Sequence, residues 1–156
     1  MNWWFMDENN IVVMKFGGTS VGTIEKINKV AERAIAVSRE GKNVVITVSA
    51  MGDTTDDLID LSSKISGNPS RREMDMLLST GEQVSSSLVA MSIIEKGANA
   101  VSLTGYQVGI LTDDTFSEAK ILNVEKKRIF KEFSKGNIVI VAGFQGITDD
   151  NDITTL

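Results

Sequence analysis

The spacing of apolar positions changes period several times along the chain. Ile11–Phe16 (IVVMKF) is a short β-branched run and is predicted as a strand, ended by Gly17 and Gly18. Ile24, Ile27, Val30, Ala31, Ala34 and Ile35 then recur at helical spacing, and Gly41 stops that helix. Asn43–Ser49 (NVVITVS) is a second strand. Its consecutive β-branched residues read as buried on both faces. Strand, helix and strand in this order form a βαβ unit.

A helix is predicted from about Thr55 to Ile65, with Thr54 and Asp57 as its cap. Ser66–Ser70 is a loop. Ser70 and Glu73 have the spacing of a capping box for a long helix. The apolar face of that helix runs Met74, Leu77, Leu78, Gly81, Val84, Leu88 and Met91, and Gly97 ends it. Asn99–Leu103 is a third strand, and short strands are expected around Gly109–Leu111 and Ala119–Leu122. Val124–Ser134 reads as helical, Ile138–Ala142 as the last strand, and GFQGITDDNDITTL as a loop. The alternation predicts a three-layer α/β/α sandwich with a mainly parallel sheet. With no closing element after Thr154–Leu156, the domain is expected to be cut rather than completed.

Composition narrows the chemistry. Among 156 residues there is no Cys and no His, so thiol nucleophiles, Ser–His–Asp triads, His bases and Cys- or His-held metals are excluded. Catalysis must use Lys, Arg, carboxylates, hydroxyls and backbone amides. A metal would be held by oxygen, which favours Mg²⁺ bound with phosphates. That inventory suits phosphoryl transfer. A net charge of −5 argues against a nucleic-acid partner. No apolar run is long enough for a membrane span, and the N-terminus lacks the pattern of a signal peptide, so a cytoplasmic location is expected. Residues 1–10 read as an N-terminal extension containing Trp3, Trp4 and Phe5, with Met6 as a candidate natural start.

Three segments carry candidate chemistry. In Lys15–Val21 (KFGGTSV) two glycines bring backbone amides close to an anion at a strand end, Lys15 adds a full charge, and a helix N-terminus follows. The spacing is not that of a Walker A loop, and the plain alternative is a Gly-Gly turn beside a surface lysine. In Val48–Asp57 (VSAMGDTTDD), Ser49 and Thr55 offer hydroxyls at a neighbouring strand end, whereas Thr54 reads as a helix cap. In Arg71–Ser85, Glu82 lies at the edge of an apolar helix face, where it could pair with a ligand ammonium or be a solvated helix glutamate. Ser85, Ser86 and Ser87 read as small-residue packing, and Asp149, Asp150 and Asp152 as a solvated loop.

The ordered blocks KFGGTSVG, VVITVSAMGDTTDDLIDL, REMDMLLSTGEQVS, VSLTGYQVGILTDD and IVIVAGFQGITDDNDITTL resemble bacterial aspartate kinases from about Ile11 to Leu156. The resemblance implies the amino-acid kinase fold, an acetylglutamate-kinase-like α/β/α sandwich, with residues 11–156 as the N-terminal part of the kinase domain. A Gly-Arg-Gly-Gly-Ser-Asp block, the rest of that domain and paired regulatory ACT domains would follow in the family. The implied reaction is phosphorylation of the β-carboxylate of L-aspartate by MgATP, which begins lysine, diaminopimelate, threonine and methionine synthesis, in a protein that is a homo-oligomer at full length. Carried over by motif, Lys15 stabilises the transferring phosphoryl group, and Phe16, Gly17 and Gly18 line the ATP phosphate site. Ser49 lies near the reacting phosphate and carboxylate, Thr55 binds the aspartate carboxylate, and Glu82 pairs with its amino group. The 156-residue piece by itself is expected to be inactive and to expose apolar surface. Two alternatives stay open: another amino-acid kinase, or a non-catalytic or partner-dependent anion-binding fragment.

Overall fold

The computed structural model describes residues 10–156, so the expected extension with Trp3, Trp4, Phe5 and Met6 lies outside the described residues. Its first sheet is built from β1 (Ile11–Phe16), β2 (Asn43–Val48), β3 (Ala100–Leu103) and β6 (Ile138–Ala142). They are ordered β1-β2-β6-β3 and every pairing is parallel. β6 therefore lies between two strands, and all five of its residues are buried. That burial explains its unbroken apolar sequence, IVIVA.

Helices α1 (Ile24–Arg39), α2 (Thr54–Ser63), α3 (Arg71–Glu95) and α5 (Lys127–Phe133) complete the layers. Successive residues of a strand point to opposite faces. Val44, Ile46 and Val48 of β2, with Ile138 and Ile140 of β6, pack against Ile27, Val30, Ala31, Ala34 and Ile35 of α1 and Val89, Ala90 and Ile93 of α3. Val45, Val139 and Val141 face the other way, onto Phe130 and Phe133 of α5 and Leu103. The three-layer α/β/α expectation is met by these two cores.

The chain also forms a second, mixed sheet. It contains β4 (Ile110–Thr112), β5 (Ile121–Val124), β7 (Gln145–Ile147) and β8 (Ile153–Thr155), ordered β5-β4-β7-β8. The segment expected to be a loop after Ala142 is thus an antiparallel hairpin, β7–β8. Its strands are too short, and too rich in Thr and Gly, to show a clear two-residue period. A one-turn helix, α4 (Gly105–Val108), was also not expected; Thr104 and Gln107 form a capping box at its start.

Two expected caps are absent. Asp53, not Thr54, precedes α2, and Thr54 Oγ1 donates instead to the Met51 carbonyl (2.6 Å). Ser70 makes no side-chain cap, and Glu73 pairs with Arg72. The helix expected over Val124–Ser134 begins only at Lys127, because Val124 belongs to β5.

The largest departure concerns α3. Its buried residues are Asp75, Ser79, Gly81, Glu82, Ser85, Ser86, Val89, Ala90 and Ile93, whereas Val84 and Met91 of the expected apolar face are 53% and 63% exposed. Five of the eight buried side chains are polar. Asp75 accepts hydrogen bonds from the backbone N–H and hydroxyl of both Ser117 and Thr155. The carbonyl of Ser79 accepts from Gln145 Nε2 (2.9 Å). Pairing of this kind removes most of the cost of burying polar groups.

Candidate active site

Parallel strands bring their C-terminal ends to one edge. Phe16 is in register with Val48, and Val48 with Ala142, so the turns after β1, β2 and β6 leave the sheet at one level. Ser49 N–H donates to the Phe16 carbonyl (3.0 Å), and Gly143 N–H to the Val48 carbonyl (2.9 Å).

The expected glycine turn follows β1. Gly18–Ser20 form a short 3₁₀ turn, closed by the Ser20 amide on the Gly17 carbonyl and the Val21 amide on the Gly18 carbonyl. Among the described residues no hydrogen bond engages the Gly18 and Thr19 amides. Glycine is needed at 18 because a Cβ there would lie 2.7 Å from the Ala50 carbonyl oxygen. The turn also receives the Gly52 amide on the Gly18 carbonyl (3.3 Å) and the Lys26 ammonium on the Thr19 carbonyl (2.7 Å). The 3₁₀ turn sets α1 back from the glycines, and Thr23 caps that helix through the Lys26 amide (3.3 Å). Lys15 is exposed on the last turn of β1, with Nζ 4.0 Å from where a Cβ on Gly17 would sit. The lysine and the glycine turn therefore share one location.

The second strand end meets α3. A Cβ on Gly81 would lie 2.9 Å from Ala50 Cβ and 3.6 Å from Thr54 Cγ2, so the missing side chain lets α3 approach the β2–α2 turn. At this contact Glu82 is only 3% exposed. Its Oε1 accepts the Ala50 amide (3.1 Å), while Oε2 is buried with no hydrogen-bond partner among the described residues. Burial pushes the Glu82 carboxyl above the ordinary 4.5, and the Ala50 amide only partly offsets this. A solvated helix glutamate is ruled out by this geometry. Ser85 Oγ donates to the Ser49 carbonyl (2.8 Å), a contact beyond the packing role expected for the serine cluster.

Lys15, Phe16, Gly17, Gly18, Ser49 and Glu82 thus converge on adjoining turns. Thr55 stands half-buried in the first turn of α2 beside them, and no hydrogen bond joins it or Lys15 to the other site residues. The Ala50 amide and Ser85 are the participants that sequence reasoning missed. A backbone amide has no signature in sequence, and one serine among three gives no direction. Among the described residues no three carboxylates gather into a metal site. Asp152 of the acidic loop pairs with Arg72 (2.6 Å).

Comparison with known proteins agrees with this architecture. An aspartokinase of Geobacillus stearothermophilus is 58% identical over 146 residues, covering 94% of this chain and 36% of the relative. Aspartokinase 2 of Bacillus subtilis is 54% identical over the same share of each chain. The chain therefore spans about a third of the length of these curated relatives. Among solved structures, aspartate kinase from Synechocystis superposes with a TM-score of 0.76 at 49% identity, over 94% of this chain and 24% of that one. A Giardia carbamate kinase shares the fold at a TM-score of 0.68 and 13% identity. The family model described as the amino acid kinase family matches residues 10–155, and the chain belongs to that family.

Proposed function

We propose that residues 11–156 are the N-terminal part of the catalytic domain of an aspartate kinase, and that the full-length protein transfers the γ-phosphoryl group of MgATP to the β-carboxylate of L-aspartate. A carboxylate oxygen attacks the γ-phosphorus, a P–O bond forms, and the bond to the β,γ-bridging oxygen breaks as ADP leaves. The products are 4-phospho-L-aspartate and ADP. The observation that carries this reading is Glu82, a buried carboxylate with one unpartnered oxygen beside a glycine turn and a lysine.

In this reading Glu82 Oε2 receives the substrate ammonium, and Thr55 binds the substrate carboxylate. Lys15 and the amides around Gly17 and Gly18 take the phosphoryl charge, with Phe16 lining that site and Ser49 next to the reacting groups. The nucleophile is already ionised at neutral pH, so a chain without His lacks nothing for this step. What it must overcome is repulsion between two anions, and oriented donors and cations do that. Mg²⁺ arrives with the ATP substrate.

The similar relatives named aspartokinase support the choice of substrate, as do the VSAMGDTTD and REMDMLLSTGE blocks. The test is acyl-phosphate formation by the full-length protein, trapped with hydroxylamine, with aspartate, glutamate and N-acetylglutamate compared. Preferential turnover of aspartate is expected. Turnover of another acid, or ATP binding without transfer, would replace the proposal. We also read the full-length protein as a cytoplasmic homo-oligomer. The exposed apolar row Val84, Met91 and Ile94 on α3 supports the assembly, and light scattering would measure it.

A further inference from the structure

One peptide unit of the site is held at both ends by the same helix. The Ser49 carbonyl accepts from Ser85 Oγ at 2.8 Å, and the N–H of the same unit, on Ala50, donates to Glu82 Oε1 at 3.1 Å. The C=O and N–H of a trans peptide point in opposite directions. Residues 82 and 85 stand about 4.5 Å apart along the helix axis, which lets them reach the two ends. The hydroxyl of Ser85 also lies 3.1 Å from the Glu82 carbonyl, the contact any helix serine can make three residues back. The shorter contact, across 36 residues of sequence, is not dictated by the helix.

We infer that Ser85 is a positioning residue, fixing the Ser49–Ala50 peptide so that its amide occupies Glu82 Oε1 and leaves Oε2 for the substrate ammonium. This inference rests on the aspartate kinase reading above. Two orientations of this peptide unit compete. As observed, the Ala50 amide satisfies one carboxylate oxygen. If the unit rotated by half a turn, the Ser49 carbonyl would face that carboxylate, and two acceptors would meet in a buried space. Ser85 is fully buried and donates to the carbonyl, so rotation would also break that 2.8 Å bond. The same grip fixes the backbone from which the Ser49 side chain projects. Ser85 touches neither reactant; it acts through Ser49, Ala50 and Glu82.

The test compares Ser85→Ala and Ser85→Thr in the full-length protein. Ser85→Ala is expected to raise KM for aspartate about tenfold, the factor one buried hydrogen bond is worth. The KM for ATP should stay within about twofold, since the β1 turn keeps its own bonds. Hydrogen exchange at the Ala50 amide should become faster in Ser85→Ala, and Ser85→Thr, which keeps the hydroxyl, should restore both readouts. Unchanged exchange and unchanged aspartate KM in Ser85→Ala would overturn the inference. So would a lower Tm with both KM values moving together, which is the mark of a purely structural serine. If the unsubstituted protein does not phosphorylate aspartate, the functional reading fails by itself, and exchange at Ala50 then decides whether the grip exists.

Discussion

Glu82 concentrates the energetic tension of the site in one side chain. A carboxyl whose folded value is raised binds its proton more tightly in the native state than in the unfolded one. Stability therefore falls as pH rises from the ordinary 4.5 through the raised value. Glu82→Gln keeps the shape, can still accept from Ala50, and removes the buried charge. It is expected to raise Tm at neutral pH, with the difference vanishing in acid below the ordinary value. The same change should raise KM for aspartate by at least tenfold in the full-length protein, as the ammonium loses its counter-charge. Thermal melts at several pH values check the first outcome and steady-state kinetics the second. Lys15 is the opposite case, exposed and without a hydrogen-bond or ion-pair partner among the described residues. Lys15→Ala should leave Tm nearly unchanged and lower kcat by about 100-fold or more. A variant with near-normal kcat would remove Lys15 from the mechanism.

Between elements, α3 is the organiser. Its buried polar face ties β8 through Asp75, β7 through Ser79, and the β2 end through Glu82 and Ser85. Asp75→Ala would leave the buried backbone amide of Thr155 and the half-buried one of Ser117 without their acceptor. A loss of roughly 3 kcal/mol is expected, measured by denaturant unfolding. At Gly81 two effects compete. Alanine gains roughly 1 kcal/mol of helix propensity, but its Cβ would lie 2.9 Å from Ala50 Cβ, and forced overpacking costs about 1–3 kcal/mol. The net outcome expected for Gly81→Ala is destabilisation, with α3 pushed off the β2 turn and aspartate binding weakened. A more stable variant with intact binding would show that the turn yields.

At the scale of the whole molecule, two carboxyls give opposite pH slopes. Burial would raise Glu132, but hydrogen bonds from Lys135, Asn137 and Arg128 outweigh it and hold the group below its ordinary value. Its stabilisation is present above the ordinary 4.5 and is lost as pH falls through the depressed folded value. Glu132→Gln is therefore expected to lower stability at neutral pH, with the gap to the unsubstituted protein closing in strong acid. That dependence is the reverse of the one for Glu82→Gln. The other global feature is a groove of about 360 Å³ lined by Ile11, Val13, Val45, Ile129, Phe130 and Phe133. It runs beside β1, an edge of the first sheet, where Val13 is 68% exposed. The 156-residue chain studied alone is expected to bind an apolar fluorescent dye here, and Val13→Lys to reduce that fluorescence.

The long elements were legible because each reports one dominant environment. Ile11–Phe16, Asn43–Val48 and Ile138–Ala142 are β-branched strands of a buried parallel sheet, and α1 has a single apolar face at Ile27, Val30, Ala31, Ala34 and Ile35. The glycine turn with Lys15 was also visible, since Gly17 and Gly18 follow a strand directly. The burial of α3 was not legible. Its inward face is polar and becomes tolerable only through partners from residues 49, 50, 117, 145 and 155, which are distant in sequence. The hairpin β7–β8 was missed for a related reason: Gln145–Ile147 and Ile153–Thr155 are held by cross-strand bonds and by Asp75, not by a local period. Sequence by itself determined the layers and the glycine turn after β1, because burial of apolar faces and the steric freedom of glycine act locally. The tertiary structure alone decided that Glu82 is buried with one oxygen unpartnered and that Ser85 grips the neighbouring peptide, because both depend on what the fold places opposite α3.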